Sequence, residues 1–201
     1  MKKVRETHNK YQRQIFAKEV NDFCAPILEE VQRRLEQIVA KAELAKGERV
    51  LDVGTGTGVL IPYIRNYGIE YIVGCDLSPA MLTKARQCHR TATFWHGDVV
   101  DLPAELGPFD AVFLNAMFGN VWDQQETLNR VTELLNKAGR ICISHPLGAR
   151  YVAELNRTDP RRTPHRLPGR DTLLEMVRRL PIELIYYKDD PVLYLAVLRT
   201  V

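Results

Sequence analysis

Val50-Leu-Asp-Val-Gly-Thr-Gly-Thr-Gly-Val-Leu60 decides the reading of this chain: an apolar run meets three glycines on alternate positions and then enters a helical pattern. Gly54, Gly56 and Gly58 allow a tight turn and a close approach to a bulky ligand, and the N–H groups opening the next helix face the same place. Working outward, the next apolar run, Tyr71-Ile-Val-Gly-Cys-Asp76, ends on an acid where a nucleoside ribose would offer its hydroxyls. Spacing separates the cofactor classes. A dinucleotide loop G-x-G-x-x-G laid on Gly54 and Gly56 needs glycine at 59, where the chain has Val59, and no Gly-Lys-Ser/Thr follows to make a P-loop. The pattern that remains is D-x-G-x-G-x-G, with Asp52 at the strand end able to hold an ammonium group directly or through water.

Beyond residue 47, β-branched runs alternate with helical runs, the signature of a parallel sheet covered by helices on both faces. Strands are expected at 49–54, 71–76, 92–96, 109–115, 140–144, 182–188 and 192–199, and helices near 58–67, 79–88, 124–136, 148–157 and 171–180. Only Asp189-Asp190-Pro191 separates the last two strands, which predicts an antiparallel hairpin. The expected fold is therefore α/β: a Rossmann-like, doubly wound, mostly parallel seven-stranded sheet with a C-terminal hairpin. Residues 1–46 form an N-terminal helical extension to a core over 47–201. Within it Phe16, Val20, Phe23, Ile27, Val31, Leu35, Ile38 and Leu44 recur near helical spacing, broken around Pro26. Such a segment either covers the cofactor pocket as a lid or packs on the outside of the sheet.

Length and composition set outer bounds. At 201 residues, one globular domain with an appendage is the default. A net charge of +3 is too small to indicate nucleic acid by itself. No apolar run approaches the roughly 20 residues of a spanning helix, and Met1-Lys-Lys-Val-Arg-Glu has no apolar stretch behind its charges, so a cytoplasmic protein without membrane insertion is expected. Cys24, Cys75, Cys88 and Cys142 form no C-x-x-C pair, and Cys75 and Cys142 sit inside apolar runs as small buried hydrophobes.

At this point the sequence resembles the class I S-adenosylmethionine-dependent methyltransferases, from about residue 47 to the C-terminus. Five segments agree in order: Leu51–Gly58, Gly74–Leu82, His96–Pro103, Phe109–Asn115 and Ala138–Ser144. The resemblance implies S-adenosyl-L-methionine as cofactor. Gly54, Thr55, Gly56 and Gly58 would then wrap its methionine part, with Asn115 and Ala116 lining the same side. Asp76 would take both ribose hydroxyls, Leu77 and Met81 would flank the sugar and ring, Asp98 after Gly97 would accept from the adenine amino group, and Val99 would pack on the ring. Read without the family, Asp76 solvates a strand end and Ser78 before Pro79 is a helix cap.

The reaction implied is in-line attack on a sulfonium methyl group, which asks the protein for alignment and water exclusion, and for a base only where the nucleophile must lose a proton. His145, at the carboxyl end of the fifth strand with Pro146 behind it, is the first choice for that base; a hydrogen-bonding loop role is the alternative. Phe16, Phe23, Phe118 and Trp122 offer an aromatic rim, against ordinary core packing. His165 lies among Arg150, Arg157, Arg161, Arg162, Arg166 and Arg170, a cluster suited to an anionic substrate, to a nucleic-acid backbone, or simply to a solvated face. The turn Asn115-Ala-Met-Phe118 lacks the prolines of amino-group methylases acting on adenine or glutamine, no Pro-Cys nucleophile motif follows for cytosine carbon-5, and no acid cluster after the fourth strand suggests a metal. The expected activity is methyl transfer to a small-molecule oxygen or nitrogen, by a monomer or homodimer. RNA or protein side-chain methylation is the enzyme alternative, and a non-catalytic S-adenosylmethionine-binding regulatory module is the alternative of another class.

Overall fold

The structure is a computed structural model, and it describes residues 2–201. Seven strands form one sheet: β1 (Arg49–Val53), β2 (Tyr71–Asp76), β3 (Thr93–His96), β4 (Phe109–Asn115), β5 (Leu135–His145), β6 (Ile182–Asp189) and β7 (Tyr194–Thr200). Their order is β3-β2-β1-β4-β5-β7-β6. The first five run parallel, while β7 pairs antiparallel with both β5 and β6. The expected hairpin is there, with its second strand slotted inside the sheet and its first strand at the edge. Helices α1 (Lys2–Lys18), α2 (Glu29–Ala40), α3 (Ile61–Arg65), α4 (Pro79–Cys88), α5 (Gln124–Glu133), α6 (Gly148–Thr158) and α7 (Arg170–Val177) complete the fold.

Alternation along the strands divides the core into two layers, because successive side chains of a strand point to opposite faces. Leu51, Val112, Leu114, Ile141, Ile143, Ala196 and Leu198 join Leu128 and Val131 of α5 and Leu173 and Val177 of α7. Val50, Ala111, Phe113, Cys142, Leu195 and Val197 join Leu35, Ile38 and Val39 of α2 and Ile61 and Ile64 of α3 on the other face. Cys75 and Cys142 are buried, as expected, and burial pushes the Cys142 thiol up to about 12.

Three elements depart from the sequence reading: β5 begins at Leu135, inside the helix expected over 124–136, which ends at Glu133. The helix expected from residue 58 begins only at Ile61 and lasts five residues. Gly58 has φ +86°, incompatible with a right-handed helix, so the chain coils only after Val59 and Leu60. The N-terminal extension is two different structures. α2 is part of the core, whereas α1 starts earlier than its apolar residues suggested and buries the amides Asn9 and Gln12. Pro26 does fall in the break between them. Among the described residues no helix is long and apolar enough to cross a membrane.

Candidate cofactor and acceptor site

β1 lies between β2 and β4, so connections leave it in opposite directions and a crevice opens at the carboxyl ends of β1 and β4, where open α/β sheets bind ligands. A cavity of about 570 Å³ occupies that crevice and extends beneath α1. Asp52, Gly54, Thr55, Gly56, Asp76, Leu77, Met81, Gly97, Asp98, Val99, Asn115 and Ala116 all line it, at the carboxyl ends of β1, β2 and β4 and on the segments that follow β1, β2, β3 and β4. Four separate loops meet because parallel strands deliver their carboxyl ends to one side of the sheet.

The three glycines turn out to do three jobs. A Cβ on Gly54 would stand 2.7 Å from the Cβ of Met117, so that glycine is needed for packing of the β4 loop. Gly56, at φ +56°, lines the cavity, and a Cβ built on it meets nothing within 4 Å, so the space a side chain would take is open to a ligand. Gly58 does not line the cavity: a Cβ there would sit 2.4 Å from the His89 ring, which corrects its expected place against the cofactor. The cradle around Gly56 fits the methionine end of the cofactor that the resemblance implies.

Asp76 links loop to strand. One carboxylate oxygen accepts from the Gly56 N–H at 2.9 Å and the other from the Ser78 N–H at 2.7 Å. Burial raises its pKa, and those two N–H donors oppose the rise. Each oxygen keeps further lone-pair capacity, so two vicinal hydroxyls can still be received. Asp52 is 2 % exposed and accepts from Thr55 Oγ1 at 2.7 Å. Burial, with Asp76 nearby, pushes it up to about 7, leaving an acid ready to ionise against an incoming ammonium. Asn115 Oδ1 accepts from Ser144 Oγ at 2.9 Å, tying the ends of β4 and β5 together. Ala116 follows at φ +55°, a left-handed conformation that side chains adopt rarely and that holds its N–H on Ser144 O.

His145 lines the cavity, but its geometry corrects the expected base. Its Nδ1 accepts the Leu147 N–H at 3.2 Å, so the neutral ring carries its proton on Nε2 and faces partners as a donor. Burial pushes its pKa down to about 4, because no carboxylate compensates the imidazolium. Tyr151 stacks on it with ring centroids 5.4 Å apart.

The aromatic rim is partly as expected. Phe16 and Trp122 line the cavity, and Phe16 meets Phe23 edge-on at 6.0 Å. Phe118 does not line it: it is fully buried in the core layer with Leu128 and Val152, since the turn after β4 points it inward. His165 is also outside the lining, with Nε2–H donated to the Trp122 carbonyl, so it props the rim. Arg150 is exposed on α6 and outside the cavity; one position on, about 100° around the helix, Tyr151 takes the place expected of it. The arginine cluster does not converge on the site. Arg162 ion-pairs with Glu19 at 2.8 Å, Arg157 with Glu154, and Arg161 stacks over Tyr11 at 3.9 Å.

Several lining residues escaped the sequence reading: Asn9, Gln12, Tyr151, Leu155 and Thr163. Asn9 Nδ2 donates to Asp98 Oδ2 at 2.8 Å and Gln12 Nε2 to the Arg162 carbonyl at 2.7 Å. The signal was faint but present. Asn9, Gln12 and Phe16 stand three and four apart, one helical face, and two of the three are polar, so a search for apolar periodicity passes over them.

Residues 51–143 match the family described as "Methyltransferase domain". The chain is 36% identical over 116 residues to a demethylmenaquinone methyltransferase of Tropheryma whipplei (strain Twist), covering 55% of this chain and 47% of that protein. A demethylmenaquinone methyltransferase of Paenarthrobacter aurescens (strain TC1) is 30% identical over 119 residues, covering 57% and 47% respectively. The chain thus spans about half the length of the curated relatives it matches. Among solved structures, a chain of the complex between the Haloferax volcanii Trm112 methyltransferase activator and a methyltransferase superposes with TM-score 0.75 at 19% identity, covering 92% of this chain and 97% of that one. The glycine loop, Asp76 and the strand order agree with that match to a methyltransferase domain, and the superposition shows a shared methyltransferase-like α/β fold.

Proposed function

We propose that this chain transfers a methyl group from S-adenosylmethionine to a small, largely apolar aromatic acceptor that enters beneath α1. The observation that carries the reading is the cavity wall beyond the glycine loop: Phe16, Phe23, Ile27, Leu28, Tyr151 and Leu155 surround it. Arg162 is the one Lys or Arg among the described lining residues, and its guanidinium is committed to Glu19. A bare anion would lose its hydration there without a free cation to replace it. The anionic acceptor suggested by the arginine cluster is therefore set aside. Demethylmenaquinone, named for the relatives, is an acceptor of the apolar aromatic kind, and a hydroxylated ring offers both the expected oxygen nucleophile and ring carbons.

In this reading the cofactor supplies a methyl group already activated on sulfonium. Asp76 holds the ribose, Asp98 the adenine amino group and Asp52 the ammonium, and Gly56 leaves room for the methionine chain. Charge disperses in the transition state, which suits an apolar wall. His145 Nε2–H would donate to an acceptor oxygen that has released its proton to solvent before the cavity closes, orienting the ring, while Tyr151 and Trp122 hold its faces and exclude water. α1 closes the cavity as a lid, and a cytoplasmic monomer or homodimer suffices for this chemistry.

Full-length chain incubated with S-adenosylmethionine and separate phenols, naphthols, amines, small carboxylic acids and RNA tests the reading by formation of S-adenosylhomocysteine. Product is expected with the hydroxylated aromatic set. Turnover confined to carboxylic acids or RNA overturns the acceptor class. Tight cofactor binding with no turnover on any of them favours the regulatory-module alternative.

A further inference from the structure

The wall of the cavity contributed by α1 contains a polar atom with nothing to bind. Gln12 is 1 % exposed and lines the cavity, and its Nε2 is used on the Arg162 carbonyl. Its Oε1 has no hydrogen-bond partner, the one buried side-chain oxygen so placed among the described residues. Leaving a buried acceptor unmade costs its full desolvation, so such groups in folded proteins mark a missing donor. The neighbouring polar groups are matched: Asn9 with Asp98, Ser144 with Asn115, and Thr163 with Asn120. One turn of α1 toward the C-terminus from Gln12 stands Phe16, part of the aromatic wall.

We propose that Gln12 is a specificity-determining residue for the methyl acceptor, its Oε1 accepting a hydrogen bond from a hydroxyl or N–H on the aromatic ring. The proposal rests on the aromatic-acceptor reading above. A helix face made of two buried amides and one phenylalanine suits a ligand that is apolar over its faces and carries a donor at its edge. Sites built to receive a hydroxyl discriminate strongly against analogues without one, because the acceptor is then left buried and unpaired. Gln12 thereby couples acceptor choice to the docking of α1, since its other amide atom fastens the helix to the 159–165 loop.

The test titrates the full chain, saturated with S-adenosylhomocysteine, with 1-naphthol and with 1-methoxynaphthalene, reading Kd by calorimetry. Wild type is expected to prefer 1-naphthol by about tenfold. Gln12→Met, which keeps length and removes the amide, brings the preference to within about twofold, the methyl group's own contribution cancelling in the comparison. If that variant does not fold, Gln12→Leu removes the same amide with a branched side chain and is expected to bring the same loss of preference. A preference unchanged in either folded variant overturns the assignment, as does equal binding of both probes to wild type. So does a Gln12→Met variant that loses S-adenosylhomocysteine affinity while keeping the probe preference, which would hand Gln12 to the cofactor. Failure of both probes to bind wild type that still binds S-adenosylhomocysteine is a different result: it removes the aromatic-acceptor reading and the Gln12 assignment with it.

Discussion

α1 and α2 come from one continuous amphipathic-looking stretch, yet they are held to the molecule by different forces. α2 buries Leu35, Ile38 and Val39 against the sheet. α1 buries Asn9 and Gln12, and is fastened by Arg5 to Asp101, Asn9 to Asp98, Gln12 to the Arg162 carbonyl and, just past its last residue, Glu19 to Arg162. Apolar burial contributes roughly 25 cal/mol per Å² without regard to direction. A polar contact nets only about 0.5–1.5 kcal/mol and breaks once its geometry is lost. A helix of the first kind leaves only when the fold does. A helix of the second kind can lift and return at modest cost, and α1 lies over the cavity, where the proposed lid role would use that. The comparison teaches that a cover can be built from the same sequence neighbourhood as a core helix by exchanging apolar residues for amides on one face.

The largest effect that could break this contrast belongs to α2. Ile38→Ala should lower the unfolding free energy by about 2–5 kcal/mol in a denaturant titration, since a fully buried side chain leaves a cavity. Hydrogen exchange sharpens the point: α1 amides should exchange through local opening and α2 amides only near the global rate. A loss below about 1 kcal/mol, or equal protection of the two helices, would erase the distinction.

Next in size is the cofactor side of the cavity that α1 covers through Asp98. Asp76→Ala should weaken S-adenosylmethionine binding by about 1.5–3 kcal/mol, measured calorimetrically, as charge-assisted hydrogen bonds are lost. Unaltered affinity would place the ribose elsewhere. A smaller, graded effect comes from Asp52, whose folded pKa of about 7 lies above its ordinary value. Without ligand, the sign of linkage is that this acid withdraws stability as pH rises from about 4 to 7. With a cofactor ammonium to pair, the carboxylate is favoured, so affinity should fall by up to about tenfold per pH unit below 7 and binding should release a proton. Titration calorimetry in two buffers of different ionisation enthalpy reads that proton; none released at pH 6 would remove Asp52 from the ammonium.

The smallest effect is on α1 itself. Arg162→Met breaks the Glu19 pair, whose side chains are each about a quarter exposed, and should cost only about 0.2–1 kcal/mol of global stability. It should nevertheless speed proteolytic cleavage within α1. A stability loss as large as that of Ile38→Ala would make α1 a core helix and end the comparison.

Much of the site was legible before any coordinates. Asp52 and Asp76 stand at the carboxyl ends of β1 and β2, Gly56 and Asp98 on the segments after β1 and β3, and a parallel sheet necessarily brings those ends together. Positions that depend on side-chain direction were less legible. Phe118 and Trp122 share one turn, but only tertiary packing decides which points inward. His145 offered two ring nitrogens, and the Leu147 N–H decided between them. Arg161 and Arg162 looked like a binding cluster until Tyr11 and Glu19, some 150 positions away in sequence, were found to occupy them.

The sequence alone determined the alternation of strand and helix, the glycine turn and the acids at the strand ends, because local periodicity and backbone sterics are properties of short segments. Tertiary structure alone decided that Gly58 serves His89, that the arginines fasten α1, and that Asn9 and Gln12 face the cavity. The physical reason is that desolvation and hydrogen-bond matching are set by whatever lies opposite a side chain, and what lies opposite comes from distant parts of the chain.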